Sequence, residues 1–197
     1  MKSIAVVTNE IALPMFDGEF SMMPFDLHTL NGLRDDFKVV AEKLLANIKH
    51  AGGTAFLTVH GKTLKKNETL RRGGAHTDGS YDRNVLDWGG GGGWKVGENG
   101  PAITSPDHMR LYGSETGGII LASNFESCLG WIGEFDGLPG VGGDCSAISL
   151  NEPFMLKRNT VYYGNNHFVH ESIPVSEDVH RVFARITMPS DHRFAGA

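Results

Sequence analysis

Residues 181–188 read Arg-Val-Phe-Ala-Arg-Ile-Thr-Met, and the alternation in this stretch predicts a β-strand. Side chains along a strand point to opposite faces in turn, so Val182 and Ala184 share one face, whereas Arg181 and Arg185 share the other. If the arginine face lines the protein interior, an unpaired guanidinium there costs several kcal/mol and needs an anion. The alternative is a solvent-exposed face on which both arginines are simply hydrated.

Short strands account for most of the remaining chain. Apolar and β-branched runs predict strands at the N-terminus and, further along, at residues 54–60, 69–75, 118–123, 147–150 and 160–163. Many short strands separated by turn residues are typical of a barrel or of two packed sheets. We therefore predict a mainly β fold, a double-stranded β-helix of the jelly-roll, cupin-like type.

One amphipathic helix is predicted to support the sheets from outside. Apolar residues recur at three- and four-residue steps over residues 33–48, and Gly52 and Gly53 can end the helix. A shorter second helix is predicted within residues 22–31.

The length of the chain fits one domain, residues 1–197, with its core at about 54–190. Glycine is over-represented, with 26 residues, and part of the excess forms the run from 89 to 93. The segment 82–107 is too long and too rich in glycine for a simple connector. We predict that it is a flexible loop of the kind that often acts as a lid.

Composition limits the classes of partner. The formal net charge of −5 argues against general binding to nucleic acid, which requires a basic face. No stretch approaches ~20 apolar residues, so no membrane span is expected. Cys128 and Cys145 fit no metal-ligand spacing and are predicted to be buried and reduced, and the N-terminus is predicted to be a strand rather than a signal peptide. These features indicate a cytoplasmic protein.

Two distant segments carry residues with metal-binding chemistry, His76-Thr77-Asp78 and, about ninety residues later, His170. If residues 76–78 end a strand, side chains 76 and 78 share a face and bring an imidazole and a carboxylate to one spot. A further histidine completes a set that suits ferrous iron and leaves coordination positions open. The alternative is that His-Thr-Asp-Gly forms a tight turn with no metal.

The sequence after the distal histidine strengthens the first interpretation. Residues 170–175 read His-Glu-Ser-Ile-Pro-Val, and Arg181 follows His170 by eleven positions. Combined with the HxD sequence at 76–78, this order resembles the iron(II)/2-oxoglutarate-dependent dioxygenases over roughly residues 69–188. Two positions depart from the family pattern: His180 stands where glycine is common, and Phe183 where serine or threonine is common.

The resemblance implies the chemistry and the roles of individual residues. His76, Asp78 and His170 would bind Fe(II), and Arg181 would hold the far carboxylate of the cosubstrate 2-oxoglutarate. Oxygen is the second cosubstrate. The implied reaction is hydroxylation of an unactivated C–H bond in a small molecule or a peptide side chain, with decarboxylation of 2-oxoglutarate to succinate.

Weaker candidates surround this set. Tyr163 and Arg185 are candidate contacts to the cosubstrate, although a core tyrosine and a hydrated arginine are the ordinary alternatives. Arg72 is a candidate substrate contact, provided that the two glycines after it introduce no bulge. Trp88 and Trp94 flank the glycine run and are candidate lid residues over the substrate, or simple anchors of the loop.

Two other functional classes remain open at this point. The same jelly roll could use the three ligands to hold zinc or manganese in a hydrolase or isomerase that does not use 2-oxoglutarate. The chain could also be a binding module without enzymatic activity. Arg181 discriminates against the hydrolase or isomerase, which gives it no ligand to hold, and the metal content of protein purified without added iron separates the binding module. The sequence predicts neither the substrate nor the oligomeric state.

Overall fold

The computed structural model describes residues 1–78, 118–140, 143–189 and 192–194, together with the backbone of residues 80–82 and 87–89. Within these residues the chain forms thirteen β-strands and one α-helix, and all strand pairs are antiparallel. The prediction of a mainly β fold is therefore confirmed.

The strands follow one another along the chain with a single helix after the third. They are β1 (Lys2–Ser3), β2 (Ala5–Glu10), β3 (Gly18–Asp26), α1 (Asp35–Leu45), β4 (Thr54–Leu64), β5 (Ser80–Asp82), β6 (Asp87–Gly89), β7 (Ile119–Ser123), β8 (Cys128–Trp131), β9 (Gly133–Glu134), β10 (Phe154–Met155), β11 (Thr160–Gly164), β12 (Val169–Ser172) and β13 (Val179–Thr187).

Two sheets position the functional residues. The larger has six strands in the order β2-β11-β7-β13-β4-β3, and the smaller has three in the order β10-β8-β12. Two short pairs, β1 with β9 and β5 with β6, complete the described strands. Non-sequential neighbours in both sheets bring distant parts of the chain together, and β13 lies inside the larger sheet between β7 and β4.

Apolar clusters cover both faces of the six-stranded sheet. On one face Val182, Ala184 and Ile186 pack with the buried side of α1, and we call this cluster the helix-side core. On the other face Phe183 belongs to a cluster that includes Cys128 of β8, so this inter-sheet core joins the larger sheet to the smaller one. The alternation predicted for residues 181–188 is thus confirmed, with each face of β13 in a different core.

The helix α1 is shorter than its sequence pattern predicts. Its apolar side, including Phe37 and Leu44, is buried, and acidic residues occupy its first turn, where the helix dipole favours them. It ends at Leu45 rather than near residue 48, because Asn47 has a φ of 99°, which a continuing helix does not allow.

Three predicted elements are wrong. Residues 69–75 form no strand, since two consecutive glycines lie there and Gly74 has a φ of 84°. Residues 147–150 form no strand, because the backbone folds into a turn in which the N–H of Ile148 donates to the carbonyl of Cys145. The second helix predicted within 22–31 is absent, and β3 occupies the first part of that segment through its pairing with β4.

Both cysteines are free and buried, as predicted. In the part of the chain that the structure describes, no helix has the length and apolar character to cross a membrane. Of the segment 82–107, only the strand β6 and the last residue of β5 are described, and the remainder of the predicted loop lies outside the described residues.

Candidate metal centre

The two segments with metal-binding residues meet through a pair of backbone hydrogen bonds. The N–H of His76 donates to the carbonyl of His170 at 3.0 Å, and the N–H of His170 donates to the carbonyl of His76 at 2.9 Å. A further bond from the N–H of Thr77 to the carbonyl of Gly143, at 2.9 Å, holds the other side of the segment. This bridge places residues 76–78 beside β12 although they form no strand of their own.

Three buried side chains converge beside this bridge. His76, Asp78 and His170 are 8%, 8% and 4% exposed, and one ligand atom from each lies within 4.8 Å of the others. Nε2 of His170 is 3.2 Å from Oδ2 of Asp78. Two imidazoles and one carboxylate at this spacing could hold a metal ion. The convergence predicted from the sequence is therefore present.

Backbone carbonyls orient both imidazole rings. Nδ1 of His76 is 2.6 Å from the carbonyl oxygen of Gly74, and Nδ1 of His170 is 3.2 Å from that of Phe168. A carbonyl can only accept, so each Nδ1 carries the proton and donates it. Nε2 of the neutral His76 ring is then left with a lone pair, whereas Nε2 of His170 faces Oδ2 of Asp78, where a metal ion would take the place of the proton between them. A backbone partner at Nδ1 is the arrangement that commonly fixes a metal-binding histidine.

Burial and nearby charges set the protonation states that a metal requires. Burial lowers the pKa of His76 to about 3, and the neighbouring His170 adds to this shift. Burial alone would raise the pKa of Asp78, but the positive charge of Arg185 and the neighbouring His170 outweigh it and hold that pKa well below its usual value. Near neutral pH the imidazole of His76 is neutral and the carboxyl of Asp78 is ionised.

Arg185 is the direct partner of the carboxylate. Its Nη1 donates to Oδ2 of Asp78, and both side chains are 6% exposed. Nη2 lies 3.7 Å from the sulfur of Met22, which a bulge in β3 turns toward the site. The alternative that Arg185 is a hydrated surface arginine is therefore wrong. Arg185 was a candidate contact to the cosubstrate, and in the structure its guanidinium binds the carboxylate of Asp78 instead.

Arg181 is fully buried among neutral groups. Its Nη1 donates to Oγ of Ser172 at 2.8 Å, its Nε to Oγ of Ser123 at 3.3 Å, and its Nη2 lies 3.6 Å from Sγ of Cys128. Among the described residues no carboxylate forms an ion pair with it. Burial lowers its pKa. A buried guanidinium without a counter-ion is costly, so this position fits an anionic ligand.

The two consecutive arginines before the HxD sequence differ in their placement. Arg72 is exposed, and the strand alternation expected to bring it to the face of His76 is absent because residues 69–75 are irregular. Its charge nevertheless contributes to the lowered pKa of His76, and its contact with substrate stays a prediction. Arg71 is the residue that turns inward: its guanidinium carbon lies 5.6 Å from the centre of the Phe183 ring. Sequence periodicity could not identify it, since no regular element sets its direction.

Tyr163 does not lie where the sequence analysis placed it. It belongs to the helix-side core and its hydroxyl is hydrogen-bonded to Nε2 of His192, on the opposite face of the sheet from Arg181. Its neighbour Tyr162 takes the inter-sheet face. The prediction that Tyr163 contacts the cosubstrate is therefore wrong, because alternation in β11 turns its side chain toward the helix.

The two tryptophan candidates remain untested. Trp88 belongs to β6, of which only the backbone is described, and Trp94 lies outside the described residues.

The sequence could have identified Ser172, which accepts a hydrogen bond from Arg181, as a residue of the site. Ser172 lies two positions after His170, so alternation in β12 places both side chains on the same face.

Glu171 supports the centre from outside. Its Oε1 accepts the N–H of Gly74 at 2.9 Å, and the carbonyl of that same glycine orients His76. We expect Glu171→Ala to weaken metal affinity by about tenfold, the lower end of losses from removing such supporting partners, whereas Glu171→Gln keeps an acceptor and most of the affinity. Mn(II) binding followed by electron paramagnetic resonance measures this.

A matched control for this prediction exists elsewhere in the chain. Oε2 of Glu68 accepts the N–H of Lys65 at 3.0 Å in the same kind of carboxylate-to-amide bond. Glu68→Ala should leave Mn(II) affinity unchanged. Equal losses from both alanine variants would show that Glu171 acts only through general stability.

Comparisons of the chain with protein-family models, curated proteins and solved structures found no match. The function of the chain is therefore inferred from the geometry of its candidate metal centre.

Proposed function

We propose that the protein is an Fe(II)- and 2-oxoglutarate-dependent oxygenase that hydroxylates an unactivated C–H bond of a small molecule or a peptide side chain. The observation that carries the proposal is the combination of His76, Asp78 and His170 with the buried guanidinium of Arg181 on β13, which forms no ion pair with a described carboxylate. Neither feature alone specifies this function, but the pair fits a metal and a dicarboxylate together.

The donor set fits a ferrous ion. Two imidazole nitrogens and one carboxylate oxygen can occupy one face of an octahedral ion and leave the other positions free for ligands from solution. His76, Asp78 and His170 would hold the metal. Arg185 would keep the carboxylate of Asp78 ionised and correctly oriented.

The position of Arg181 fits the second carboxylate of 2-oxoglutarate. Ser172, which accepts a hydrogen bond from Arg181, lies two residues after His170 on β12. The Cα atoms of two residues at this spacing in a strand lie roughly 6.6 Å apart. The distance from the guanidinium of Arg181 to the metal ligands is therefore comparable with the length of a short dicarboxylate. The planar guanidinium can bind a carboxylate through two parallel hydrogen bonds.

The residues of the chain bind, orient and exclude water in this proposal. When bound, the ferrous ion, 2-oxoglutarate and oxygen supply the oxidising chemistry. The inter-sheet core keeps Arg181 dry, which strengthens its attraction for a carboxylate. In this proposal the six-stranded and three-stranded sheets are the two halves of a double-stranded β-helix.

The contacts of Arg181 favour this function over the two alternatives. A zinc or manganese hydrolase or isomerase would use the three ligands but would leave a fully buried guanidinium whose partners among the described residues are two hydroxyls and a thiol. A binding module without a metal would have no use for the convergent, buried ligand set. We therefore propose neither.

A single titration tests the proposal. Under anaerobic conditions, Fe(II) followed by 2-oxoglutarate should produce a weak visible charge-transfer band, because 2-oxoglutarate chelates the metal through two oxygens. Admission of air should then yield succinate. Zn(II) in place of Fe(II) is the control and should give neither signal. A chain that binds Fe(II) but gives no band with 2-oxoglutarate would contradict the proposed function.

A further inference from the structure

Arg71 lies at the outer side of the candidate metal centre. Its guanidinium stands over the ring of Phe183, and Phe183 lies between Arg181 and Arg185 on the same face of β13. The side chain of Arg71 is 26% exposed, whereas Arg181 is fully buried. A ligand arriving from solvent can therefore reach Arg71 while 2-oxoglutarate occupies the inner arginine.

The counter-ion of Arg71 is weak and replaceable. Nη1 lies 3.6 Å from Oε1 of Glu19, whose side chain is 53% exposed. Exposed ion pairs of this length contribute little to stability because water screens them. No other described carboxylate pairs with Arg71 in an ion pair. Glu19 can therefore yield to a better placed anion at small cost.

Three guanidinium groups lie near the ring of Phe183. Burial lowers the pKa of Arg71, and the charges of Arg185 and Arg181 add to this shift, while Asp78 and Glu19 oppose it. Asp78 pairs with Arg185, and Arg181 forms no ion pair with a described carboxylate, so an anion beside Arg71 would relieve the repulsion among the three cations.

We propose that Arg71 binds a carboxylate group of the primary substrate, so that the enzyme acts on a carboxylic acid. This inference rests on the proposed function, since it assigns the inner cation to 2-oxoglutarate. Arg71 is then an outer anchor, and Arg181 an inner one. The ring of Phe183 beneath the guanidinium holds it by a cation–π contact and keeps water from that side.

The test uses matched carboxylic acids and amides. The full-length protein is loaded anaerobically with Fe(II) and saturating 2-oxoglutarate, so no turnover occurs and Arg181 stays filled. Butyrate, valerate, N-acetylalanine and N-acetylleucine are compared with their primary amides by saturation-transfer NMR titration. We expect the acids to bind about tenfold more tightly than the amides, because a charge-assisted hydrogen bond is lost in the amide.

Two single-charge variants identify the anchor. Arg71→Gln should remove the preference for acids, and Arg71→Lys should retain part of it. Arg72→Gln removes the same charge one residue away, at an exposed position, and should retain the full preference. A thermal unfolding scan of each variant shows that it is folded.

The outcomes separate this inference from the proposed function. A wild-type protein without the charge-transfer band contradicts the proposed function and this inference with it. A normal band combined with no binding of the acids, or with equal binding of acids and amides, overturns this inference alone. So does a preference for acids that survives Arg71→Gln or disappears in Arg72→Gln.

Discussion

Arg181→Met should abolish 2-oxoglutarate binding while leaving metal binding intact. The guanidinium of Arg181 is the buried cation assigned to the far carboxylate, and methionine fills a similar volume without charge. Losing two charge-assisted hydrogen bonds corresponds to a loss of about 100-fold or more in affinity. Anaerobic titration of the Fe(II)-loaded variant with 2-oxoglutarate, followed by the charge-transfer band, measures this.

The same variant should not lose stability in the absence of 2-oxoglutarate. Among the described residues Ser172, Ser123 and Cys128 are the partners of the wild-type guanidinium, and replacing a buried charge by an apolar side chain is often neutral or stabilising. Urea unfolding without ligands should therefore give an equal or higher midpoint. Arg181→Lys is the control for charge without the planar fork. An unaltered 2-oxoglutarate affinity in Arg181→Met would show that another group holds the cosubstrate.

Asp78→Ala should lose both metal binding and stability, whereas His170→Ala should lose mainly metal binding. Removing the carboxylate leaves the guanidinium of Arg185 buried without its ion-pair partner, and breaking such a pair costs about 3–5 kcal/mol. Removing the imidazole leaves that pair intact. Mn(II) titration and urea unfolding of the metal-free proteins measure the two effects separately.

A double variant isolates the cause. Asp78→Leu combined with Arg185→Met removes both charges, so it should recover most of the lost stability without recovering metal binding. If Asp78→Ala is as stable as wild type, the buried ion pair described here does not stabilise the fold. If His170→Ala retains wild-type Mn(II) affinity, the assigned ligand set is incorrect.

Local periodicity allowed part of this arrangement to be predicted from the sequence. The alternation of β13 placed Arg181 and Arg185 on one face, and the buried side of α1 followed from its three- and four-residue steps. The ligand set followed from motif order rather than from any regular element, since His76 and Asp78 belong to no strand.

The incorrect predictions arise where direction depends on tertiary contacts. Arg71 and Arg72 are chemically equivalent in the sequence, and residues 69–75 form no regular element from which the direction of either side chain could be predicted. Tyr162 and Tyr163 are equivalent in the same way, and the strand neighbours of β11 decide between them. The Asp78–Arg185 pair depends on the packing of two segments distant in sequence, which local patterns do not encode.

The anchoring of the three ligands by protein groups has a consequence for how the holoprotein is made. Backbone carbonyls already hold both imidazoles, and Arg185 already holds the carboxylate, so the ligands need no ion to bring them together. Most of the ordering entropy is therefore spent when the chain folds. If the proposed centre binds its metal, the polypeptide can fold first and take up the ion afterwards, and a chelator should strip the ion reversibly from protein that stays folded.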